Sequence, residues 1–248
     1  SRNISLSDPT TPPSTRSTVQ PLAPSPALPD PGPHRAIISD GKDGVAGHWQ
    51  RVAGVDEAGR GPWAGPVVAA AVLLRRINLP VRIDDSKRLT ARQRAQAFRV
   101  IQDNADVGFG IVCCDVIDQR NILRATLDAM SLALEDLPAT PELVLVDGTM
   151  TPPSPLLCLA LVRGDQRNYV ISCASIMAKV LRDSLMTFYD RLLPHYGFKR
   201  HKGYGTRFHA QQLQRHGPSC FHRRSFRPVR DLPCRAFTGV ACSPASSV

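Results

Sequence analysis

An α/β fold, with one catalytic domain between two loose tails, is what this sequence predicts, and three observations lead there. From residue 49 to about residue 231, short apolar runs alternate with stretches whose apolar residues recur at helical spacing. Residues 1–48 are a different material, with prolines at 9, 12, 13, 21, 24, 26, 29, 31 and 33 among Ser and Thr; such a segment buries too little apolar surface to fold. Residues 232–248 are rich in small side chains and read as a second loose tail.

The elements follow in order. Residues 51–55 and 65–74 read as an antiparallel hairpin of strands, and Gly59, Gly61 and Gly65 between them allow positive φ and close approach of the backbone to a ligand. Thr90 is a helix N-cap for a helix reaching about residue 105. Residues 107–114 give a third strand, and Ile117, Leu123, Leu127, Met130 and Leu134 share one face of a second helix. Residues 143–146 are continuously apolar, as in a parallel strand buried on both faces, and lead into Asp147-Gly148. Residues 158–162 form another such run before Arg163-Gly164-Asp165, and 171–193 read as a long helix containing Ile176, Val180 and Leu181. No internal repeat is visible.

Composition narrows the function classes. A chain of 248 residues at 42% hydrophobic content supplies one sizeable core. A net charge of +10 and a pI near 9.7 call for an anionic partner, nucleic acid or an acidic membrane surface. No run approaches the roughly 18 apolar residues of a membrane span, and no basic amphipathic anchor stands out, so nucleic acid leads. The seven cysteines are odd in number and contain no Cys-x-x-Cys pair, which argues against a disulfide framework and a zinc ribbon and fits a reducing cytoplasm. Cys113, Cys114, Cys158 and Cys173 sit in apolar runs and read as core thiols, while His216, Cys220, His222 and Cys234 match no standard zinc spacing.

Four acids carry the chemistry. Asp56, Glu57, Asp147 and Asp165 all fall at ends of predicted strands, the edge where open α/β sheets bind ligands. Taken singly, the Asp56-Glu57 pair and Asp147 each read more readily as ordinary acidic turns. Brought together without a cation they would repel one another, and a divalent metal removes that conflict. All-oxygen donors select Mg²⁺ or Mn²⁺, and a pair of such ions suits in-line displacement at a phosphodiester.

The motifs Val55-Asp56-Glu57-Ala58-Gly59-Arg60-Gly61, Asp84-Asp85-Ser86-Lys87-Arg88-Leu89, Val146-Asp147-Gly148, Arg163-Gly164-Asp165, Ala174-Ser175-Ile176-Met177-Ala178-Lys179 and His201-Lys202-Gly203-Tyr204-Gly205-Thr206 occur in this order. Together they resemble bacterial ribonuclease HII over roughly residues 50 to 215. The resemblance implies an RNase H-like fold, a mixed five-stranded sheet flanked by helices, with a small carboxyl-terminal helical part from about residue 195. It implies an endonuclease that hydrolyses the RNA strand of RNA/DNA hybrids and nicks 5′ of single ribonucleotides in DNA, leaving 5′-phosphate and 3′-hydroxyl ends. Two Mn²⁺ or Mg²⁺ ions on Asp56, Glu57, Asp147 and Asp165 are the implied cofactors. Gly59, Arg60 and Gly61 resemble the element that senses the ribose 2′-hydroxyl, the group that distinguishes RNA from DNA. Tyr204 resembles the tyrosine that stacks on the following deoxyribose.

Ser86 and Lys87 correspond to phosphate-holding residues ahead of a helix amino terminus. Ser175, Lys179 and Arg182 are candidate phosphate contacts along the long helix. The tract Arg223, Arg224, Arg227 and Arg230 either extends the nucleic-acid footprint or is solvated. Arg163 stands where the family usually has Lys, and Cys173 where Ala is usual; neither change removes an acid. The implied state is a monomer in the cytoplasm, with docking to a replication clamp unreadable. Two alternatives stay open: a non-catalytic nucleic-acid-binding protein on the same scaffold, and another two-metal nuclease acting on DNA junctions.

Overall fold

The computed structural model describes residues 49–76 and 78–232. The Pro-rich extension and nearly all of the carboxyl-terminal tail lie outside them. Strand β1 (Val52–Ala58) pairs antiparallel with β2 (Val67–Leu74), which pairs antiparallel with β3 (Ala105–Val112). On its other side β1 pairs parallel with β4 (Leu143–Asp147), and β4 parallel with β5 (Cys158–Leu161), giving a mixed sheet in the order β3-β2-β1-β4-β5. The predicted hairpin and the parallel strand ending in Asp147 are both present. β1 runs further than the sequence suggested, so Asp56 and Glu57 lie within the strand instead of in the turn after it.

Every residue of β2 is buried, because helices cover both faces of the sheet. On one face, α3 (Ile122–Glu135) packs Ala125, Ala129, Met130 and Ala133 against Ala53, Val55, Ala69, Ala71, Val144 and Val146. On the other, α1 (Ala91–Asn104) and α5 (Tyr169–Leu192) pack Ala97, Ile101, Ile176 and Met177 against Ala70 and Val72. Burying each such Ile or Met contributes about 2 kcal/mol. Alanines on the strands leave room for the helices to come close, and Ile171 to Ala178 of α5 are buried without interruption, so this half of α5 lies in the interior.

Local chemistry explains the helix ends. Thr90 caps α1 as expected, in a reciprocal capping box with Gln93. Asn168 caps α5 by accepting from the amides of Val170 and Ile171 at 3.1 and 3.4 Å. The second predicted helix is in fact two, α2 (Cys114–Arg120) and α3, broken at Asn121. Asn121 has φ +68° and its side-chain oxygen accepts from Leu123 and Arg124, starting a new helix where apolar spacing alone continued the old one. Cys113, expected in the core, is exposed; Cys114 and Cys173 are buried.

The short helix α4 (Gly164–Arg167) follows β5, and past α5 come the equally short α6 (Phe198–His201) and then α7 (Arg207–His216). Ala64, Met186, Tyr196 and Phe198 form a small core joining this region to the loop after β1. Among the described residues no helix is long and apolar enough to cross a membrane.

Candidate active site

Strand register brings the acids together. Val55 is paired with Val146 across the parallel β1–β4 ladder, so Asp56 and Asp147, one residue further on each strand, emerge side by side at the carboxyl ends. Both lie on the face covered by α5, since side chains alternate and Gly54 and Leu145 also face that helix. Asp165 stands in α4, just beyond β5, and its amide donates to Asp147 Oδ1 at 3.3 Å. Glu57 follows Asp56, donates its amide to Asp56 Oδ1 at 2.7 Å, and ion-pairs with Arg60 at 3.5 Å.

The electrostatics show that these groups feel one another. Burial, then the charges of Glu57 and Asp147, push Asp56 well above the usual carboxylate range, against the stabilising Ser175 hydroxyl and Glu57 amide. Burial also raises Glu57; Arg60 opposes the shift and Asp147 adds to it. Asp147 is raised by burial and by Asp165, with the amides of Asp165 and Gly164 and the charge of Lys87 pulling the other way. Lys87 Nζ lies 3.5 Å from Asp165 Oδ2; burial lowers its pKa, but Asp165, Asp85 and Asp56 together raise it.

Among the described residues no three His, Cys, Asp or Glu side chains form a ready-made ligand set for one ion. The acids are thus neighbours without being a closed cage. Their chemistry nevertheless fits a hard divalent cation: the donors are all oxygen, and burial with mutual repulsion holds three of the four pKa values up, a penalty that a bound cation relieves.

The model of the family described as Ribonuclease HII matches residues 53–229. The chain belongs to the ribonuclease HII family. As such it is an endoribonuclease. It is 44% identical over 199 residues to the ribonuclease HII of Chlamydia pneumoniae, covering 79% of this chain and 92% of the relative. Identity to the ribonuclease HII of Chloroflexus aggregans is 48% over 194 residues, covering 76% and 92%. The crystal structure of ribonuclease H2 from Pyrococcus horikoshii OT3 superposes with a TM-score of 0.61 at 25% identity, covering 73% of this chain and 96% of that one. Bst-RNase HIII, crystallised in complex with Mn²⁺, shares the fold at a TM-score of 0.59 and 15% identity, with coverage of 73% and 68%. The RNase H-like fold is therefore as the motifs implied.

Around the acids, two loops interlock. Gly59 has φ +100°, and a side chain there would strike Arg182, with Pro66 O at 2.8 Å. Trp63 donates its amide to Gly203 O at 2.9 Å and packs its ring over Gly205. Tyr204, 46% exposed, stands with its ring edge about a van der Waals contact from Gly61, where a Cβ would lie 3.8 Å from Cε1. The predicted ribose-sensing turn and the predicted stacking tyrosine are therefore adjacent.

The other predicted contacts separate by burial. Ser86 and Ser175 are both buried, with their hydroxyls 3.0 Å apart. Lys87 keeps an exposed side chain beside the acids. Lys179 pairs with Asp183 at 2.8 Å. Arg182 is buried, and its guanidinium donates to the carbonyls of Pro66, Lys202 and Ala64 at 3.0, 3.1 and 3.2 Å.

Two residues were missed. Buried Asp85 accepts from the Lys87 amide at 2.9 Å and from Gln166 Nε2 at 3.4 Å, shaping the lysine loop against α4. Arg223 was read as either solvated or part of a nucleic-acid footprint, and it is neither: it is fully buried, donating to carbonyls of the turn after β1. Its flanking Phe221 and Phe226 were the one sequence hint of an interior position.

A histidine chain sits beneath Tyr204. The Ser219 amide donates to His222 Nδ1 at 2.9 Å, so neutral His222 carries its proton on Nε2 and gives it to His209 Nε2 at 3.0 Å. His209 then donates from Nδ1 to Tyr204 O at 2.9 Å. Protonating either ring would set N–H against N–H, and burial together with neighbouring histidines lowers His209 to about 4 and His222 to about 3. With the folded pKa values below the unfolded one, stability is complete above the ordinary histidine range and is lost as pH falls toward the folded values, at up to about 1.4 kcal/mol per pH unit per ring. Melting temperature should fall steeply between about pH 6.5 and pH 4.5, and less so in His209→Gln; equal slopes would place the acid sensitivity elsewhere.

Proposed function

We propose that this chain hydrolyses the RNA strand of RNA/DNA hybrids and nicks duplex DNA on the 5′ side of an embedded ribonucleotide, with divalent ions held by Asp56, Glu57, Asp147 and Asp165. One observation carries the reading: the parallel β1–β4 register that sets Asp56 beside Asp147, with the Asp165 amide on Asp147 Oδ1 at 3.3 Å. The chemistry that Mg²⁺ or Mn²⁺ supplies when bound is activation of a water and neutralisation of charge at the departing 3′ oxygen.

The chain's own residues do the rest. Hydrolysis adds water across the P–O3′ bond: oxygen joins phosphorus, a proton ends on the 3′ oxygen, and the products are a 5′-phosphate and a 3′-hydroxyl. Lys87, exposed next to Asp165, supplies positive charge for a backbone phosphate, and Ser86 braces that loop against Ser175 on α5. Gly59, Arg60 and Gly61 read the ribose hydroxyl, and Tyr204 supplies an exposed ring for the next sugar. Arg182, enclosed by carbonyls, has a positioning role instead of touching phosphate. We place the activity in the cytoplasm, in keeping with free thiols at Cys113, Cys114, Cys158 and Cys173.

The test uses matched duplexes with one ribonucleotide, four ribonucleotides and none, incubated with Mg²⁺ or Mn²⁺. Nicking 5′ of the single ribonucleotide, with the all-DNA duplex intact, is the expected result. Tight binding without nicking under either ion would support a non-catalytic binder, and cutting of all-DNA junctions would support a different nuclease.

A further inference from the structure

Arg223 and Arg182 are the two largest fully buried side chains of the chain's described part, and both are cationic. Burying a guanidinium is costly unless its N–H groups are satisfied. Here those groups end on main-chain carbonyls of one short loop. Arg223 donates to Gly65 O at 3.0 Å, Arg60 O at 2.8 Å and Gly59 O, while Arg182 donates to Pro66 O and Ala64 O and reaches across to Lys202 O. The second loop end, Lys202, lies two residues before Tyr204. Burial and the nearby Arg182 charge lower the Arg223 pKa to about 9, which leaves it protonated at neutral pH.

An apolar side chain would fill this space without the desolvation cost, so the planar donor fork calls for a reason of its own. Peptide planarity supplies one. In a trans peptide the C=O and the following N–H point in opposite directions. With Gly59 O and Arg60 O turned inward to Arg223, the amides of Arg60 and Gly61 point the other way, out of the buried guanidinium's pocket, in a turn whose Gly61 lies beside the Tyr204 ring. Among the described residues neither amide has an acceptor within the chain.

We propose that Arg223 and Arg182 are positioning residues for ribose recognition: Arg223 aims the Arg60 and Gly61 amides at the substrate, and Arg182 fixes the distance from this turn to Tyr204. This rests on the substrate reading above. The ligand of the outward amides is a ribose hydroxyl oxygen, which one ribonucleotide in DNA offers at a single position and a run of four offers in several registers. A loosened turn therefore harms the single-ribonucleotide substrate more.

The experiment compares the full chain with Arg223→Gln, Arg223→Lys and Arg182→Lys. For Arg223→Gln, kcat/KM on the single-ribonucleotide duplex should fall at least about tenfold further than on the four-ribonucleotide duplex, about 1.4 kcal/mol of lost discrimination. Arg223→Lys, which keeps the charge but loses the fork, should fall in between, and it carries the comparison if the glutamine variant does not fold. Independently of activity, NMR order parameters at Gly59 and Gly61 should drop in the variants while those of Val55 hold. Equal loss on both substrates, or an unchanged turn by NMR, overturns the proposal. Absence of cleavage by the unaltered protein would instead defeat the substrate reading, and the NMR comparison would still decide whether the arginines hold the turn.

Discussion

Asp147→Asn is expected to slow cleavage of a ribonucleotide-containing duplex at least about a thousandfold while the protein stays folded and still binds that duplex. The substitution is nearly isosteric, and the amide oxygen of Asn can still accept from Asp165 N, the bond that ties α4 to β4. What it removes is a negative charge from the middle of the acidic group, the one that Asp56 and Glu57 both feel. Two consequences of opposite sign follow. Affinity for divalent ions falls, so the rise in melting temperature on adding Mn²⁺ should shrink. Without metal, relief of repulsion should leave the variant at least as stable as the parent. Activity assays beside thermal melts in Mn²⁺ and in chelator check both. A variant that cuts within tenfold of the parent, or that gains as much stability from Mn²⁺, would remove Asp147 from the metal site.

How much of this was legible in the sequence depended on how local the cause was. The α1 cap was legible because Thr90 and Gln93 are three residues apart and bond each other. The break at Asn121 was not, since five apolar residues at helical spacing span it and only the positive φ and the side-chain cap of Asn121 reveal two helices. That Asp147 ends a strand, and that Asp56, Glu57 and Asp165 lie in or just past the carboxyl-terminal part of one, could be read directly, whereas the adjacency of Asp56 and Asp147 depends on β1 pairing with β4, a long-range choice that periodicity does not encode. The resemblance of ordered motifs implied that the four acids share one site, without giving the strand pairing that brings Asp56 beside Asp147. Arg182 and Arg223 were the least legible. Arginine is so rarely buried that a run such as His222-Arg223-Arg224 reads as surface, and nothing local says which guanidinium turns inward to carbonyls.

Gly54 shows the same limit from the side of stability, and Gly54→Val should destabilise the protein by about 3 kcal/mol or more, with Gly54→Ala close behind. In the sequence it is a glycine inside a strand, which suggests only a weak point or a bulge. In the structure it is where α5 comes down on β1: a Cβ would meet the main chain of Val170 and lie 2.6 Å from Ile171 N, atoms that cannot rotate aside. Relief requires α5 to lift away from the strand, and α5 also carries Ser175, whose hydroxyl faces Asp56. The cost in packing and the displacement of the acid site therefore come together. Gly148→Ala is the informative comparison, because Gly148 has φ +110° and nothing within 4 Å of the added carbon. Its penalty should be the backbone term alone, about 1–2 kcal/mol. Urea denaturation of the three variants separates steric closeness from backbone conformation. If Gly54→Ala proved no more costly than Gly148→Ala, α5 would have to be free to shift, and the placement of Asp56 against Ser175 would not depend on this contact.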